Sequence, residues 1–228
     1  MWTSLPRAGF DTETTGINVL DDRIVTAAVV IQDGDREERY TWLADPGVEI
    51  PDGAAAIHGV TTEKARRAGR PIVEVLEEIA QVLERHMAGG NPVVAYNASY
   101  DFTLLENELA RHGLPTMAQR LGGRVYPVID PYFLDRHVDR YRRGKRTLAH
   151  IAAHYGVPAD ETFHDAEGDV RMTLRVLDAI LERFPNLGVT PLDVLENDQR
   201  VAYNEFMDFI SRRYPRASGE PRGWPVPS

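Results

Sequence analysis

The chain of 228 residues contains no cysteine. This absence excludes a disulfide scaffold, a thiolate metal site and a cysteine nucleophile, and it is consistent with a reducing compartment. No apolar run approaches the roughly 20 residues that a helix needs to cross a bilayer. The first ten residues also lack the apolar core of a secretory signal. These features predict a cytoplasmic protein with no membrane partner.

Positive charge is also scarce. The sequence has 26 Lys and Arg against 35 Asp and Glu, which gives a net charge of −9 at pH 7. This balance argues against a protein that holds nucleic acid on a broad basic surface. It does not exclude an enzyme that acts on nucleic acid, because bound metal ions or a local basic cluster can reverse the sign of the potential.

Strand patterns and then strand–helix units fill the first 184 residues. Short or β-branched apolar runs at 8–13, 23–31 and 38–43 predict three strands, and the turn Asp33–Gly34 joins the last two. Later segments predict strands at 92–96 and 124–130 and helices at 71–87, 100–112, 147–155 and 165–184. A three-stranded start followed by strand–helix units predicts an α/β fold with a mixed sheet.

The composition changes near residue 186. An amphipathic pattern predicts one more helix over 192–214. The last fourteen residues hold four prolines and two glycines, which predicts a poorly ordered end. We therefore predict a main domain over residues 1–186 and, over residues 187–228, a helical extension that ends in a flexible, proline-rich tail.

The first candidate site lies where the first predicted strand ends, in the sequence FDTETTG (residues 10–16). Side chains two apart on a strand point to the same face, so Asp11 and Glu13 present two carboxylates side by side. Adjacent carboxylates repel each other unless a cation or proton lies between them. Hard oxygen ligands of this kind suit Mg²⁺ or Mn²⁺. The alternative is a turn with two solvated acids.

A second acidic position lies in the sequence NASYDF (residues 97–102). A strand is predicted to end just before it, and Asp101 falls in the first turn of the next helix. Ligands of open α/β sheets gather at such strand-to-helix turns. Alternatively, Asp101 only interacts favourably with the helix dipole.

The third candidate segment, HDAEGD (residues 164–169), begins the long predicted helix. Asp165 is the predicted N-cap of that helix, which places His164 in the preceding loop. From there His164 can converge with Asp169, which a position on a continuous helix would not allow. The alternative is a capped helix beside an exposed histidine.

Taken together, FDTETTG, NASYDF and HDAEGD resemble, in order and spacing, the three motifs of the DnaQ-like 3′–5′ exonucleases. The histidine of the third motif is typical of the DEDDh subgroup. The sequence IHGVT (residues 57–61) resembles the segment between the first two motifs of that family. The resemblance covers roughly residues 5–184. It implies a ribonuclease H-like fold, in which a mixed five-stranded sheet is flanked by helices.

The resemblance also implies a role for individual residues. Two Mg²⁺ or Mn²⁺ ions would be bound by four carboxylates, those of Asp11, Glu13, Asp101 and Asp169. His164 would act as the general base. The residues that match contacts to the terminal nucleotide in the family are Thr14, Thr15, Gly16, His58, Asn97 and Phe102.

These roles imply a metal-dependent exonuclease that hydrolyses phosphodiester bonds from the 3′ end of DNA in proofreading or repair. Two divalent ions can activate the water and stabilise the leaving oxygen, and a histidine that titrates near neutrality can accept the proton of the water. The implied partners are a single-stranded or frayed 3′ end and a DNA polymerase.

Two other functions remain open. An exoribonuclease that trims RNA 3′ ends is the first, because the sequence shows no contact that would read a 2′-hydroxyl group. A non-catalytic nucleic-acid-binding module on the same fold is the second, and the five intact catalytic positions argue against it.

One segment of this acidic chain is strongly basic. Residues 136–146 hold six Lys and Arg among eleven positions. The segment predicts phosphate contacts through Arg142, Arg143 and Lys145, with Tyr141 available to stack on a base. The alternative is a solvated basic turn.

Overall fold

A mixed sheet of six strands lies at the centre of the structure, a computed structural model that describes residues 1–158, 165–214 and 222–227. The strands are β1 (Arg7–Thr14), β2 (Ile24–Asp33), β3 (Arg36–Asp45), β4 (Arg70–Pro71), β5 (Val93–Val94) and β6 (Val128–Ile129). They lie in the order β4-β3-β2-β1-β5-β6. β2 is antiparallel to β1 and β3, and the other neighbouring pairs are parallel.

The predicted α/β fold with a mixed sheet is confirmed, but the sheet has six strands where five were expected. The additional strand is β4, which pairs with Ala44–Asp45 at the edge of the sheet. Two residues are too few to produce a recognisable sequence pattern. The strands predicted at 92–96 and 124–130 are also shorter than expected, with two residues each in β5 and β6.

In the described parts of the chain, ten α-helices surround the sheet. They are α1 (Asp52–His58), α2 (Thr62–Ala68), α3 (Ile72–Ala88), α4 (Ala98–Arg111), α5 (Met117–Arg120), α6 (Pro131–Val138), α7 (Leu148–His154), α8 (Ala166–Arg183), α9 (Asn186–Val189) and α10 (Leu192–Arg213). The five long helical predictions are confirmed, with ends shifted by at most two residues. None of these helices is long and apolar enough to span a membrane.

The sequence prediction did not include α6. The helix has only eight residues, which is too short for an apolar repeat to be distinctive. Its start nevertheless carries two standard signals. Asp130 is the N-cap, with its side chain accepting a hydrogen bond from the Tyr132 amide, and Pro131 occupies the first turn.

The two faces of the sheet pack against different helices. On one face, Phe10 of β1 lies in a core that α3 and α4 complete. On the other face, α8 crosses β1 and β2 and buries Val170 and Leu174. A Cβ atom on Gly9 would lie 2.5 Å from Val170 Cγ1. A glycine at this position therefore allows α8 to lie directly against β1, near the strand end that carries the acidic motif.

The C-terminal extension shares the core of the main domain. Leu195, Gln199 and Tyr203 of α10 are buried, and the helix packs against α6 and β6. Trp224 is only 4% exposed and lies in the same core cluster as Tyr203. The sequence predicted a poorly ordered tail, whereas residues 222–227 pack against the domain. The buried indole ring of Trp224 holds them there. The remainder of the predicted tail, 215–221 and Ser228, is outside the described residues.

Candidate active site

Two acidic side chains of β1 lie on the sheet face that α8 crosses. Asp11 and Glu13 are opposite Ala28 and Thr26 of β2 in the antiparallel ladder. Because these neighbours are small, the two carboxylates remain partly exposed at the end of the strand. The predicted side-by-side arrangement follows from the two-residue period of the strand.

The first turn of α8 brings a third carboxylate to this pair. Asp165 caps the helix, as predicted, and its side chain accepts a hydrogen bond of 2.6 Å from the Gly168 amide. Asp169 follows one turn later. Carboxylate oxygens of Asp11, Glu13 and Asp169 lie within 4.8 Å of one another. Three hard oxygen donors this close fit a divalent cation such as Mg²⁺ or Mn²⁺.

The fourth acid of the predicted set, Asp101, lies in the first turn of α4. It is 3% exposed, and its Oδ1 atom accepts hydrogen bonds from the backbone amide and the hydroxyl group of Thr12, at 3.1 and 2.6 Å. Thr12 lies between Asp11 and Glu13 in β1. These bonds therefore attach α4 to the part of the strand that carries the other acids.

The pKa values of the acids reflect their burial and their mutual repulsion. Desolvation raises the pKa of Asp11 well above its usual value, and the charges of Asp101 and Asp169 raise it further. Desolvation also raises the pKa of Glu13 to about 7, with repulsion from Asp169 as the next cause. The pKa of Asp101 is raised to about 7 by burial. Positive charge among these groups would favour their ionised forms, so the donor set fits bound cations.

The predicted general base, His164, lies outside the described residues. It immediately precedes Asp165 in the sequence. The observed cap at Asp165 supports the prediction that α8 begins after the histidine and not before it.

The loop after β1 forms an ordered rim beside the acids. The Thr15 hydroxyl donates a hydrogen bond of 2.7 Å to Asp22 and accepts one of 3.0 Å from the Arg23 amide. A Cβ atom on Gly16 would lie 2.6 Å from a carboxylate oxygen of Asp22. Gly16 therefore allows the loop to turn back on itself.

Tyr100 is a residue of this rim that the sequence prediction did not include. Its hydroxyl group donates to the carbonyl oxygen of Gly16 and lies 2.8 Å from the hydroxyl of Thr14. It thus connects the first and second motifs. The sequence could have indicated this residue, since Tyr100 lies inside the second motif, NASYDF, and directly precedes Asp101.

A cavity of about 420 Å³ opens beside the acids, with Glu13, His58, Lys64 and Asp165 among its lining residues. Its volume falls in the range of small-ligand sites. His58 is the last residue of α1, and burial lowers the pKa of its imidazole, partly offset by the Thr14 backbone. This shift favours the neutral form of the ring. The predicted nucleotide contact at His58 lies next to the acidic cluster.

The other two predicted nucleotide contacts lie in different surroundings. Asn97 is exposed and lines a groove together with Tyr100. Phe102 is fully buried, and its ring centroid lies 5.5 Å from that of Phe10 in the core. Successive residues of a helix point about 100° apart, so Phe102 faces the core while Asp101 faces β1. The substrate contact predicted for Phe102 is therefore replaced by core packing.

The basic segment at 136–146 is only partly directed to solvent. Arg142 and Arg146 both form ion pairs with the fully buried carboxylate of Asp135, and Arg142 lies 3.0 Å from it. The side chain of Arg142 is only 9% exposed. An internal ion pair thus takes the place of the phosphate contact predicted for Arg142. Arg143 and Lys145 are exposed, as a phosphate contact requires.

The ion pairs of Asp135 provide a test of stability. Replacing Asp135 by alanine leaves the buried guanidinium of Arg146 without its carboxylate and removes a hydrogen bond of 2.8 Å from Tyr155. We expect the free energy of unfolding to fall by about 3–5 kcal/mol in urea titrations. The control is Asp178→Ala, which removes an exposed pair with Arg7 and should cost at most about 1 kcal/mol. Equal losses of unfolding free energy in the two variants would show that burial does not determine how much an ion pair contributes to stability.

Comparisons with known proteins agree with the fold. Residues 8–177 match the RNase_T exonuclease family. The chain is 30% identical over 192 residues to the PolC-type DNA polymerase III of Streptococcus thermophilus, a match that covers 83% of the chain and 12% of that polymerase. It is also 30% identical over 190 residues to the corresponding protein of Thermotoga petrophila, covering 82% of the chain and 13% of the relative.

Solved structures of exonuclease I share the fold. The complex of Escherichia coli exonuclease I with single-stranded DNA aligns with a TM-score of 0.69 at 20% identity, covering 80% of this chain and 42% of that one. The enzyme of Methylocaldum szegediense gives a TM-score of 0.66 at 22% identity, with the same coverages. The chain thus spans a small part of the polymerases and less than half of exonuclease I. With three acidic motifs and a match over most of its length, it belongs to the RNase_T exonuclease family, the DnaQ-like 3′–5′ exonucleases.

Proposed function

We propose that this chain hydrolyses phosphodiester bonds one nucleotide at a time from the 3′ end of DNA. The observation that carries the proposal is the convergence of Asp11, Glu13 and Asp169 beside a cavity of about 420 Å³. A cluster of ionised carboxylates repels a phosphate unless cations are held among them. The arrangement therefore suits a metal-dependent enzyme whose substrate is a phosphodiester.

Four carboxylates would hold two Mg²⁺ or Mn²⁺ ions, those of Asp11, Glu13, Asp101 and Asp169. Divalent cations held there supply Lewis-acid stabilisation of the phosphoryl oxygens and make a water molecule easier to deprotonate. Thr12 orients Asp101 through two hydrogen bonds, and the cap at Asp165 orients the first turn of α8.

His164 is the proposed general base. An imidazole that titrates near neutrality can accept a proton at physiological pH. In the sequence His164 directly precedes Asp165, the observed cap of α8, and Asp169 lies in the first turn of that helix, which supports this role. A second imidazole, that of His58, would contact the nucleotide from the lining of the cavity beside Glu13.

The proposed substrate is a single-stranded or frayed 3′ end of DNA. Two kinds of relative support it. The similar region in the Streptococcus thermophilus protein belongs to a DNA polymerase, and the Escherichia coli exonuclease I of similar fold was solved with single-stranded DNA. Association with a DNA polymerase in proofreading, or independent action in repair, would both use this substrate. The cytoplasm is the proposed compartment.

The strand would pass the basic segment, which is attached to the active-site edge of the sheet. The hydroxyl group of Tyr96, two residues after β5, donates a hydrogen bond of 2.6 Å to the carbonyl oxygen of Arg146. Arg143, Lys145 and the strongly exposed Tyr141 project from this segment. They offer the cations and the aromatic ring that single strands bind.

We expect the double variant Arg143→Ala/Lys145→Ala to bind single-stranded DNA more weakly and with less dependence on salt. Each phosphate contact contributes about −0.7 to the slope of log K against log salt, so the slope should flatten by roughly one to one and a half units. The control is Arg36→Ala/Arg85→Ala, which removes two exposed arginines away from the acids. Arg36 pairs with Asp33 at the other end of the strand ladder from Glu13, and Arg85 belongs to α3 on the other face of the sheet. Identical slopes for the two double variants would assign Arg143 and Lys145 to a solvated turn.

The substrate is tested by parallel digestion of three labelled oligonucleotides with Mg²⁺ present. These are single-stranded DNA, duplex DNA with a mismatched 3′ end, and RNA of the same sequence. The proposal predicts the fastest shortening for the two DNA substrates with a free 3′ end. Faster digestion of the RNA would replace the proposal with an exoribonuclease. Binding of all three without any cleavage would indicate a non-catalytic nucleic-acid-binding module.

A further inference from the structure

A buried aspartate outside the acidic cluster connects three parts of the fold. Asp130, which follows β6, is fully buried. Its carboxylate accepts hydrogen bonds from the backbone amides of Asn97 and Ala98, at 3.0 and 2.8 Å, and from the Tyr132 amide at 2.9 Å. One side chain thus satisfies amides at the beginning of both α4 and α6, and the Ala98 amide among them would otherwise be a buried donor without this partner.

The amides of Asn97 and Ala98 belong to the turn that starts the metal-binding helix. Asn97 is the N-cap of α4 and has a left-handed backbone conformation, with φ of 60°. Asparagine adopts this conformation at an energetic cost, so the surrounding contacts must maintain it. Its own side chain makes no capping hydrogen bond. The Asp130 carboxylate takes the place of that cap and fixes the turn from outside.

The turn determines where Asp101 lies. Asp101 is in the first turn of α4, three residues after Ala98, and it bonds to Thr12 between the two acids of β1. A change in the direction of the first turn of α4 would therefore move the Asp101 carboxylate relative to Asp11 and Glu13. Asp130 makes no hydrogen bond to the acids and is connected to them through this turn and through charge repulsion with Asp101. Trp224→Phe leaves that charge unchanged and therefore reports on the turn.

The C-terminal extension holds Asp130 from the other side. The side chain of Gln199 in α10 accepts a hydrogen bond of 2.6 Å from the Asp130 amide. It also donates a hydrogen bond of 3.2 Å to the carbonyl oxygen of Val128. The indole N–H of Trp224 donates to the Asp130 carboxylate at 3.4 Å. Gln199 is fully buried and Trp224 nearly so. Two separate parts of the extension thus fix the same aspartate.

We propose that Asp130 is a positioning residue for the metal-binding end of α4, and that the extension beyond residue 186 maintains it through Gln199 and Trp224. The role of Asp101 as a metal ligand rests on the proposed function. The exonuclease centre would then depend on the extension, although none of the described residues of the extension belongs to the acidic cluster.

The test uses the full chain with three substitutions. Asp130→Asn keeps the shape but places an amide group among N–H donors. Trp224→Phe keeps a buried ring and removes the donor. The matched control is Trp2→Phe, because Trp2 is also a buried tryptophan. Its indole N–H donates a hydrogen bond of 2.9 Å to the carbonyl oxygen of Leu187, in the core cluster on the other face of the sheet.

Two measurements distinguish a positioning role of Asp130 from a general effect on the stability of the fold. The first is the dissociation constant of Mn²⁺, measured by electron paramagnetic resonance on the free protein. We expect Asp130→Asn to weaken binding about 10- to 100-fold, the usual range for a residue that supports metal ligands, and Trp224→Phe by at least about threefold. The second is hydrogen exchange at the amides of Asn97 and Ala98, which should accelerate in both variants.

The control should lose stability and leave both readouts at the wild-type level. Wild-type Mn²⁺ affinity and exchange in the Trp224 variant, or equal changes in Trp2→Phe, would overturn the proposal. If Asp130→Asn does not fold, the Trp224 variant decides. Neither readout requires nuclease activity, so a chain that binds Mn²⁺ but cleaves no substrate would refute the proposed function and still test the positioning role.

Discussion

Replacing Asp11 by asparagine is expected to lower the turnover at least about a thousandfold and to leave the fold intact. Asp11 lies at the centre of the acidic cluster, where Glu13, Asp101 and Asp169 all affect its pKa. Metal ions supply several kcal/mol of transition-state stabilisation, and each 1.4 kcal/mol is a factor of ten in rate. Removing one ligand from the shared set therefore weakens the binding of every cation held there.

The same substitution should not destabilise the metal-free protein. Asp11 is one of several like charges held close together, so removing its charge relieves repulsion in the folded state. The measurements are the turnover on single-stranded DNA with excess Mg²⁺ and the thermal unfolding midpoint in EDTA. Asp35→Asn, an exposed acid in the turn between β2 and β3, is the control and should retain wild-type activity. Turnover within tenfold of wild type would show that Asp11 is not a metal ligand.

His164→Ala is expected to lower the turnover by about 10²- to 10⁴-fold, the usual contribution of a general base. Since His164 is assigned no metal-binding role, the Mn²⁺ affinity should stay close to that of the wild type. His112→Ala, at the end of α4 remote from Asp101, is the control. A variant that has lost its metal ions together with its activity would show His164 to be a ligand instead.

The pH profile gives this prediction a second readout. Protonation of the base removes its ability to accept a proton, so the wild-type rate should fall as the pH decreases through the histidine range near 6.5. The slope of this acid limb should decrease in His164→Ala. An unchanged limb in the variant would assign the titration to another group.

The sequence alone was sufficient for the parts of the site that depend on local periodicity. Asp11 and Glu13 share a face because a strand has a period of two, and Asp169 lies in a first turn because Asp165 is a recognisable cap. Phe102, Leu105 and Leu109 recur at helical spacing and indicate the core face of α4, and the prediction from the motif resemblance placed Phe102 at the substrate instead. The ion pair of Arg142 with Asp135 has no local pattern and became visible only in three dimensions.

The end of the chain shows a second limit of sequence reasoning. A composition rich in proline and glycine predicts disorder, because such segments bury little apolar surface. One tryptophan is enough to reverse this outcome at 222–227, since its ring enters the core and its N–H reaches Asp130. The partner of Trp224 is 94 residues away in the sequence, which no local pattern can reveal.

The central claim is metal-dependent removal of nucleotides from the 3′ end of DNA. It is tested most directly by a time course on a 5′-labelled single-stranded oligodeoxynucleotide with purified protein, in Mg²⁺ and in EDTA. The account predicts a ladder of labelled products that shorten one nucleotide at a time in Mg²⁺ and no shortening in EDTA. Undiminished cleavage in EDTA, or early release of the label as a mononucleotide, would contradict it.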